Sequence, residues 1–309
     1  MACQTVSELQ KFVDIAKAVT KYGKVADYIP ALGKANQHDL SVAFYYTDGN
    51  CVKAGNVERK FTLQSISKVI ALALVLMDHG QEYVFEHVGM EPTGDPFNSI
   101  AKLETVNPSK PLNPMINAGA LAVTNMIKGK DTKEKLNRLL LFVRKLANNQ
   151  EISYNDEVAI SEFQTAWLNR SMCYFLKEHD IIQGNVEELM DLYTKQCAIE
   201  MNTHDLAKIG AVFSLNGKHP ETDEQVIPID IARLCKTFMV TCGMYNASGE
   251  FAIKVGIPAK SGVSGGILGI VPNHFGVGIY GPSLDEKGNS IAGIYLLELI
   301  SANYSLSIF

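Results

Sequence analysis

A chain of 309 residues can bury one large core or two lobes. Its 47% hydrophobic and 20% charged residues are those of an ordinary globular protein, and a formal net charge of −5 argues against nucleic acid or an anionic membrane as the main partner. Met1–Lys11 has neither the basic nor the apolar stretch of a secretion signal, and no apolar run is long enough to span a bilayer, so a cytoplasmic location is expected.

The first expected element is an amphipathic helix, with Leu9, Phe12, Val13, Ala16 and Val19 at helical spacing. Ser7–Gln10 reads as its capping box and Gly23 as its stop. Residues 26–32 follow as a short helix or loop around Pro30. Leu40–Tyr46 and Cys51–Ala54, joined by the turn Thr47-Asp-Gly-Asn50, predict a β-hairpin.

Phe61–Met77 comes next. Ser65 stands three residues before Lys68 at the head of a helix that is then apolar on all sides, Val69 to Met77. Residues three apart share a helical face, so the hydroxyl and the amine can meet. A desolvated lysine can take the proton of a serine nucleophile, and the helix N-terminus offers N–H groups to an oxyanion. Ser-x-x-Lys is also common by chance, as an N-cap with a solvated lysine one turn on.

Residues 89–119 are loop-like, punctuated by Pro92, Gly94, Pro96, Pro108, Pro111 and Pro114. They deliver Asn113 and Asn117 into an apolar run, Asn117 either as a local cap or as a group that orients a polar substrate. From Asp131 to about Leu215 the pattern is mostly helical, with helices over 133–148, 155–177, 186–196 and 204–215. Glu162 and Asn169, seven residues apart in the second of these, would project from one face. On spacing alone that pair reads as a solvated face, and Tyr193 and Tyr245 read as core aromatics with their hydroxyls at the edge.

Asp230–Cys242 is a further helix ending at Gly243. The tail then turns β-rich and glycine-rich, with Gly266–Val271 and Phe275–Tyr280 as paired strands around Asn273, and a closing helix over 288–303. Strands at both chain ends predict an α/β (α+β) fold, in which residues 1–65 and 217–309 form one lobe. Residues 66–216 form a mainly helical lobe inserted in it, with the site in the cleft between them.

Six cysteines without a C-x-x-C pair, and seven histidines without a H-E-x-x-H pair, predict free thiols and neither metal nor cofactor. Lys260-Ser-Gly262 lies just before the glycine-rich strand. Together with Ser65 and Lys68 it matches, in order and spacing, the first and third motifs of the penicillin-recognising enzymes, although a clear Ser-Asp-Asn is missing.

The whole chain resembles the serine-dependent glutaminases, which share the β-lactamase/DD-peptidase-like fold: an antiparallel sheet flanked by helices, with an inserted all-helical lobe. The resemblance rests on Tyr28-Ile-Pro30, Gln64–Lys68, Asp95–Ser99, Asn113–Ala120, Ser161-Glu162 with Asn169-Arg170, Cys242–Tyr245 and Pro258–Gly266. It is to the compact bacterial form. It implies hydrolysis of L-glutamine to L-glutamate and ammonia, with Ser65 as nucleophile, Lys68 as base and Tyr245 as proton relay. The Ser65 and Val263 amides would form the oxyanion hole, with Tyr28, Asn117, Glu162, Asn169 and Tyr193 around the amino-acid end. Lys260 joins the catalytic group as the positive neighbour that, together with burial, lowers the pKa of Lys68. The family commonly forms homodimers or homotetramers. One position departs from its pattern: the arginine usual before Asn169 is Leu168 here. The competing readings are a β-lactamase or DD-peptidase relative, which leaves Asn117, Glu162 and Tyr245 unexplained, and a non-catalytic glutamine-binding protein, which does not need both Ser65 and Lys68.

Overall fold

The structure is a computed structural model describing residues 5–96, 98–100, 103–104 and 110–309. Cys3, Phe97 of the Asp95–Ser99 stretch and Pro108 lie outside the described residues.

Helix α1 (Val6–Lys17) is capped by Thr5, whose hydroxyl accepts from the Glu8 amide, so the cap lies two residues before the expected Ser7. Strands β1 (Ser41–Tyr46) and β2 (Cys51–Gly55) form the expected hairpin. β1 also pairs with β8 (Phe275–Tyr280), β8 with β7 (Gly266–Val271), and β7 with β6 (Ala259–Ser261), all antiparallel, in the order β2-β1-β8-β7-β6. The two chain ends thus build one sheet. Asn273, in the left-handed region at φ 62°, closes the β7–β8 turn.

Alternation sorts the sheet into two faces. Val42, Phe44, Val277, Ile279, Ile267 and Val271 pack with α1 and with the last helix, α11 (Ile291–Tyr304). On the opposite face, Ala43 and Tyr45 meet Ala207 and Ala211 of α8 (Thr203–Ser214). Here the glycines of the tail find their use. A Cβ on Gly276 would lie 2.1 Å from both Ala207 O and Ala211 N, and one on Gly278 would lie 2.1 Å from Thr203 O. Only bare backbone lets α8 approach the sheet this closely.

Beyond α8 a second core contains α2 (Ser67–His87), α3 (Asn117–Asn125), α4 (Thr132–Ala147), α5 (Asp156–Thr165), α6 (Trp167–Glu178), α7 (Val186–Cys197) and α9 (Ile229–Cys242). A short helix, α10 (Ser248–Lys254), follows α9. Ser67 to Leu76 of α2 are all buried, as expected for a central helix. Its regular geometry breaks at Gly80, at φ 78°. The periodicity did not foresee a small second sheet, β3 (Phe61–Thr62), β5 (Ile199–Met201) and β4 (Ser153–Tyr154), in the order β3-β5-β4. These strands are too short to show an alternation. The helix expected over 155–177 is in fact two helices, broken at Ala166, where ψ turns to 43°.

Gly276→Ala is expected to destabilise the protein by about 1–3 kcal/mol through overpacking against α8. Urea unfolding measures this, and a loss below about 0.5 kcal/mol would mean that α8 does not press on the sheet as described.

Candidate active site

Ser65 sits in a one-turn 3-10 helix, Gln64–Ile66, immediately before α2. Gln64 enters the turn in the left-handed region, at φ 48°. That conformation is costly for a residue with a side chain, and persists only where the surroundings hold it. The surroundings include Gly262, the last residue of the Lys-Ser-Gly triplet: a Cβ there would lie 2.5 Å from Leu63 O. The triplet therefore needs glycine so that the end of β6 can lie against the serine turn. Among the described residues, neither the Ser65 nor the Val263 amide donates to a backbone carbonyl.

Lys68, the second residue of α2, is fully buried. Its Nζ donates to Met115 O at 3.1 Å and to Asn117 Oδ1 at 2.7 Å. Neither bond runs to Ser65, so placement on one face has not by itself paired hydroxyl with amine. Burial lowers the Lys68 pKa to about 8, against smaller opposing effects of Cys197 and Glu162. Lys260 is itself fully buried and held well below the usual lysine range, first by burial and then by repulsion between the two amines. Its Nζ donates to Ser261 O at 2.7 Å and lies 4.4 Å from the centre of the Tyr245 ring.

Tyr245 also has positive φ, 52°, in its own 3-10 turn after α9. Burial raises its hydroxyl above the ordinary tyrosine pKa, and a hydrogen bond with Ser65 opposes this. The Ser65 hydroxyl is thus a neighbour of the Tyr245 hydroxyl, and Tyr245 is more than the core aromatic that position alone suggested.

The Met115 carbonyl is placed by Asn113. That side chain is fully buried, accepts from the Met115 and Ile116 amides at 3.0 and 3.1 Å, and donates to Glu91 O at 2.8 Å. Asn117 is the first residue of α3 and its side chain makes no cap bond. Its oxygen holds Lys68, and its nitrogen donates to Asn169 Oδ1 at 3.0 Å. One amide thereby links the amine to the substrate side.

Beside Ser65 lies a cavity of about 120 Å³, lined among others by Tyr28, Asn117, Glu162, Asn169, Tyr193 and Val263. Seven of the ten expected residues, Ser65 included, line it; Lys68, Tyr245 and Lys260 do not. Glu162 and Asn169 converge through the break at Ala166, not through two turns of one helix. Glu162 is buried, with Oε2 lacking a hydrogen-bond partner. Its pKa rises to about 7 through desolvation, opposed by a hydrogen bond from the Gln64 side chain and by Lys68. An unsatisfied carboxylate oxygen facing a small polar cavity is suited to a cation. Leu168 lines the mouth, and the ion pair on this helix is made by Arg170, whose Nε lies 2.9 Å from Glu187 Oε1. The sequence reading missed Cys197 and Gln64 as lining groups and the Met115 carbonyl as a lysine acceptor. No side-chain pattern marks a carbonyl, although Asn113-Pro114 marks the turn that presents it.

Among the described residues, no group of three or more His, Cys, Asp or Glu is placed to hold a metal ion, and Cys51, Cys173, Cys197, Cys235 and Cys242 are free.

A serine hydroxyl with a buried lysine three residues on and a tyrosine as its neighbour suits a nucleophilic hydrolase. The family model for glutaminase matches residues 23–309, and the chain belongs to that family. It is 69% identical over 309 residues to glutaminase 2 of Bacillus subtilis (strain 168), covering 100% of both chains. It is 68% identical over 302 residues to the glutaminase of Geobacillus thermodenitrificans (strain NG80-2), covering 98% of each. Among solved structures, it matches the covalent complex of a Bacillus subtilis glutaminase with 5-oxo-L-norleucine, formed by reaction with 6-diazo-5-oxo-L-norleucine. That match has a TM-score of 0.90 and 42% identity over 98% of this chain and 99% of the other. The fold is accordingly the β-lactamase-like one.

In the free protein, Glu162 is expected to titrate near 7 because burial disfavours its charge. Carbon-detected NMR of the carboxyl reads this directly; a midpoint near ~4 would show that water reaches it.

Proposed function

We propose that this glutaminase hydrolyses L-glutamine to L-glutamate and ammonia through an acyl-enzyme on Ser65. The observation that carries the mechanism is the Lys68–Asn117–Asn169 chain, which ties a buried amine beneath Ser65 to the cavity wall. Neutral Lys68 takes the proton as Ser65 Oγ attacks the side-chain amide carbon. The Ser65 and Val263 amides receive the oxyanion, each such donor being worth about 3–4 kcal/mol in the barrier. Tyr245, in contact with Ser65, passes a proton to the departing ammonia, and a water then cleaves the ester by the reverse relay. Lys260, beneath the Tyr245 ring, positions that ring.

Glu162 holds the ammonium of the substrate, with Tyr28, Asn117, Asn169 and Tyr193 around the rest of the amino-acid end. The cavity draws Tyr28 and Val263 from the lobe of residues 1–65 and 217–309, and most of its wall from residues 66–216, which supports the cleft reading. The covalent complex that the Bacillus subtilis relative forms with 5-oxo-L-norleucine supports a nucleophile at this site. Cytoplasmic location and a homodimer or homotetramer complete the proposal; light scattering separates those assemblies from a monomer.

Ser65→Ala is expected to abolish ammonia release while leaving the thermal transition in place, and substantial turnover would remove Ser65 from the mechanism. Glu162→Gln should raise KM far more than it lowers kcat; unchanged constants would return Glu162 to a structural role. Because Lys68 acts unprotonated, kcat should rise with pH through about 8. A kcat that is flat from pH 6 to pH 9, or that falls as pH rises, contradicts the base.

A further inference from the structure

Behind the serine turn runs a buried polar chain that the mechanism above does not use. Gln196, near the end of α7, is fully buried. Its Nε2 donates to Ser67 Oγ at 3.3 Å, and its Oε1 lies 3.1 Å from Thr124 Oγ1 of α3, whose one hydroxyl proton is shared with Ala120 O at 2.8 Å. Ser67, also buried, donates its single hydroxyl proton to Gln64 O at 2.7 Å. The directions are consistent along the chain: Ser67 accepts from Gln196 and spends its proton on Gln64. None of Gln196, Ser67 and Thr124 lines the substrate cavity. A core that gained nothing from these groups would fill the space with apolar side chains at no loss of stability.

The acceptor at the end of this chain is the informative part. Gln64 O and the Ser65 N–H belong to one peptide group, which is planar, so the N–H points away from the oxygen. Gln64 is the residue at φ 48°, where the backbone would relax if it were not held. We infer that the Thr124–Gln196–Ser67 chain is a positioning device for the reaction. By gripping Gln64 O from the core side, it holds the strained turn and aims the Ser65 N–H into the cavity. The inference rests on the reading of that amide as an oxyanion donor. The helix alone gives the group little hold, because its backbone partner is the Ser67 amide, at the very start of α2. A misaimed oxyanion donor costs rate and leaves substrate binding alone, since glutamine is gripped at its other end.

Ser67→Ala, Thr124→Val and the Ser67→Ala/Thr124→Val double variant test this, with Ser65→Ala in parallel and thermal unfolding as the check on folding. Ser67→Ala is expected to lower kcat about tenfold, a fraction of the ~100-fold loss for a deleted oxyanion donor. KM for glutamine should stay within twofold. Thr124→Val, isosteric and remote from the cavity, should show a smaller loss of the same kind. The double variant should lose no more than Ser67→Ala alone, because Thr124 acts only through Ser67. Thr124→Ser, which keeps the hydroxyl, should restore kcat. Wild-type kcat in folded Ser67→Ala overturns the inference while leaving the Ser65 mechanism intact. Multiplicative losses, or a rise in KM matching the fall in kcat, overturn it as well. Turnover by Ser65→Ala overturns the reading on which it rests.

Discussion

An amine taken out of water favours its neutral form unless its surroundings replace the lost hydration, and around Lys68 they replace it only in part. Two oxygens accept from its Nζ, the Met115 carbonyl and the Asn117 amide, and no carboxylate is bonded to it. The result is a pKa of about 8 instead of 10.5, which disfavours the protonated form by roughly 3 kcal/mol. The rest of the site is arranged around that imbalance. Asn113 fixes the turn that presents Met115 O, α3 begins at Asn117, and β6 closes over the serine turn through Gly262.

Two desolvated ionisable groups with opposite tendencies face each other across this site. Burial pulls Lys68 down to about 8 and pushes Glu162 up to about 7, and each charge partly stabilises the other. In the proposed mechanism, a substrate ammonium paired with Glu162 would change this balance and leave Lys68 to its neutral partners. Selectivity and base strength would thereby be coupled through a few ångströms of shared low-dielectric space. Cys197, although on the cavity wall, is kept from competing as a nucleophile, because burial holds its thiol well above the usual range.

Much of this was legible in the sequence where a local rule applied. The hairpin at Thr47–Asn50 was written in turn residues, and the buried helix after Ser65 in its unbroken apolar run. The glycine-rich tail announced itself as strands, but not that Gly276 and Gly278 serve α8 on one face only. Glu162 and Asn169 were correctly paired for an incorrect reason, because a seven-residue spacing looks the same whether the helix continues or breaks at Ala166. That Lys68 and Lys260 act on each other was legible in their two motifs, whereas the full burial of Lys260 was not. Gln196 gave no signal, because a buried polar side chain declares its partner only once three helices are assembled.

The central claim is that the hydroxyl of Ser65, and not the neighbouring thiol, attacks the substrate. Treatment with 6-diazo-5-oxo-L-norleucine followed by peptide mapping tests it most directly. The account predicts a single covalent adduct on Ser65 that is absent from the Ser65→Ala protein. An adduct on Cys197, or labelling that survives Ser65→Ala, would contradict it.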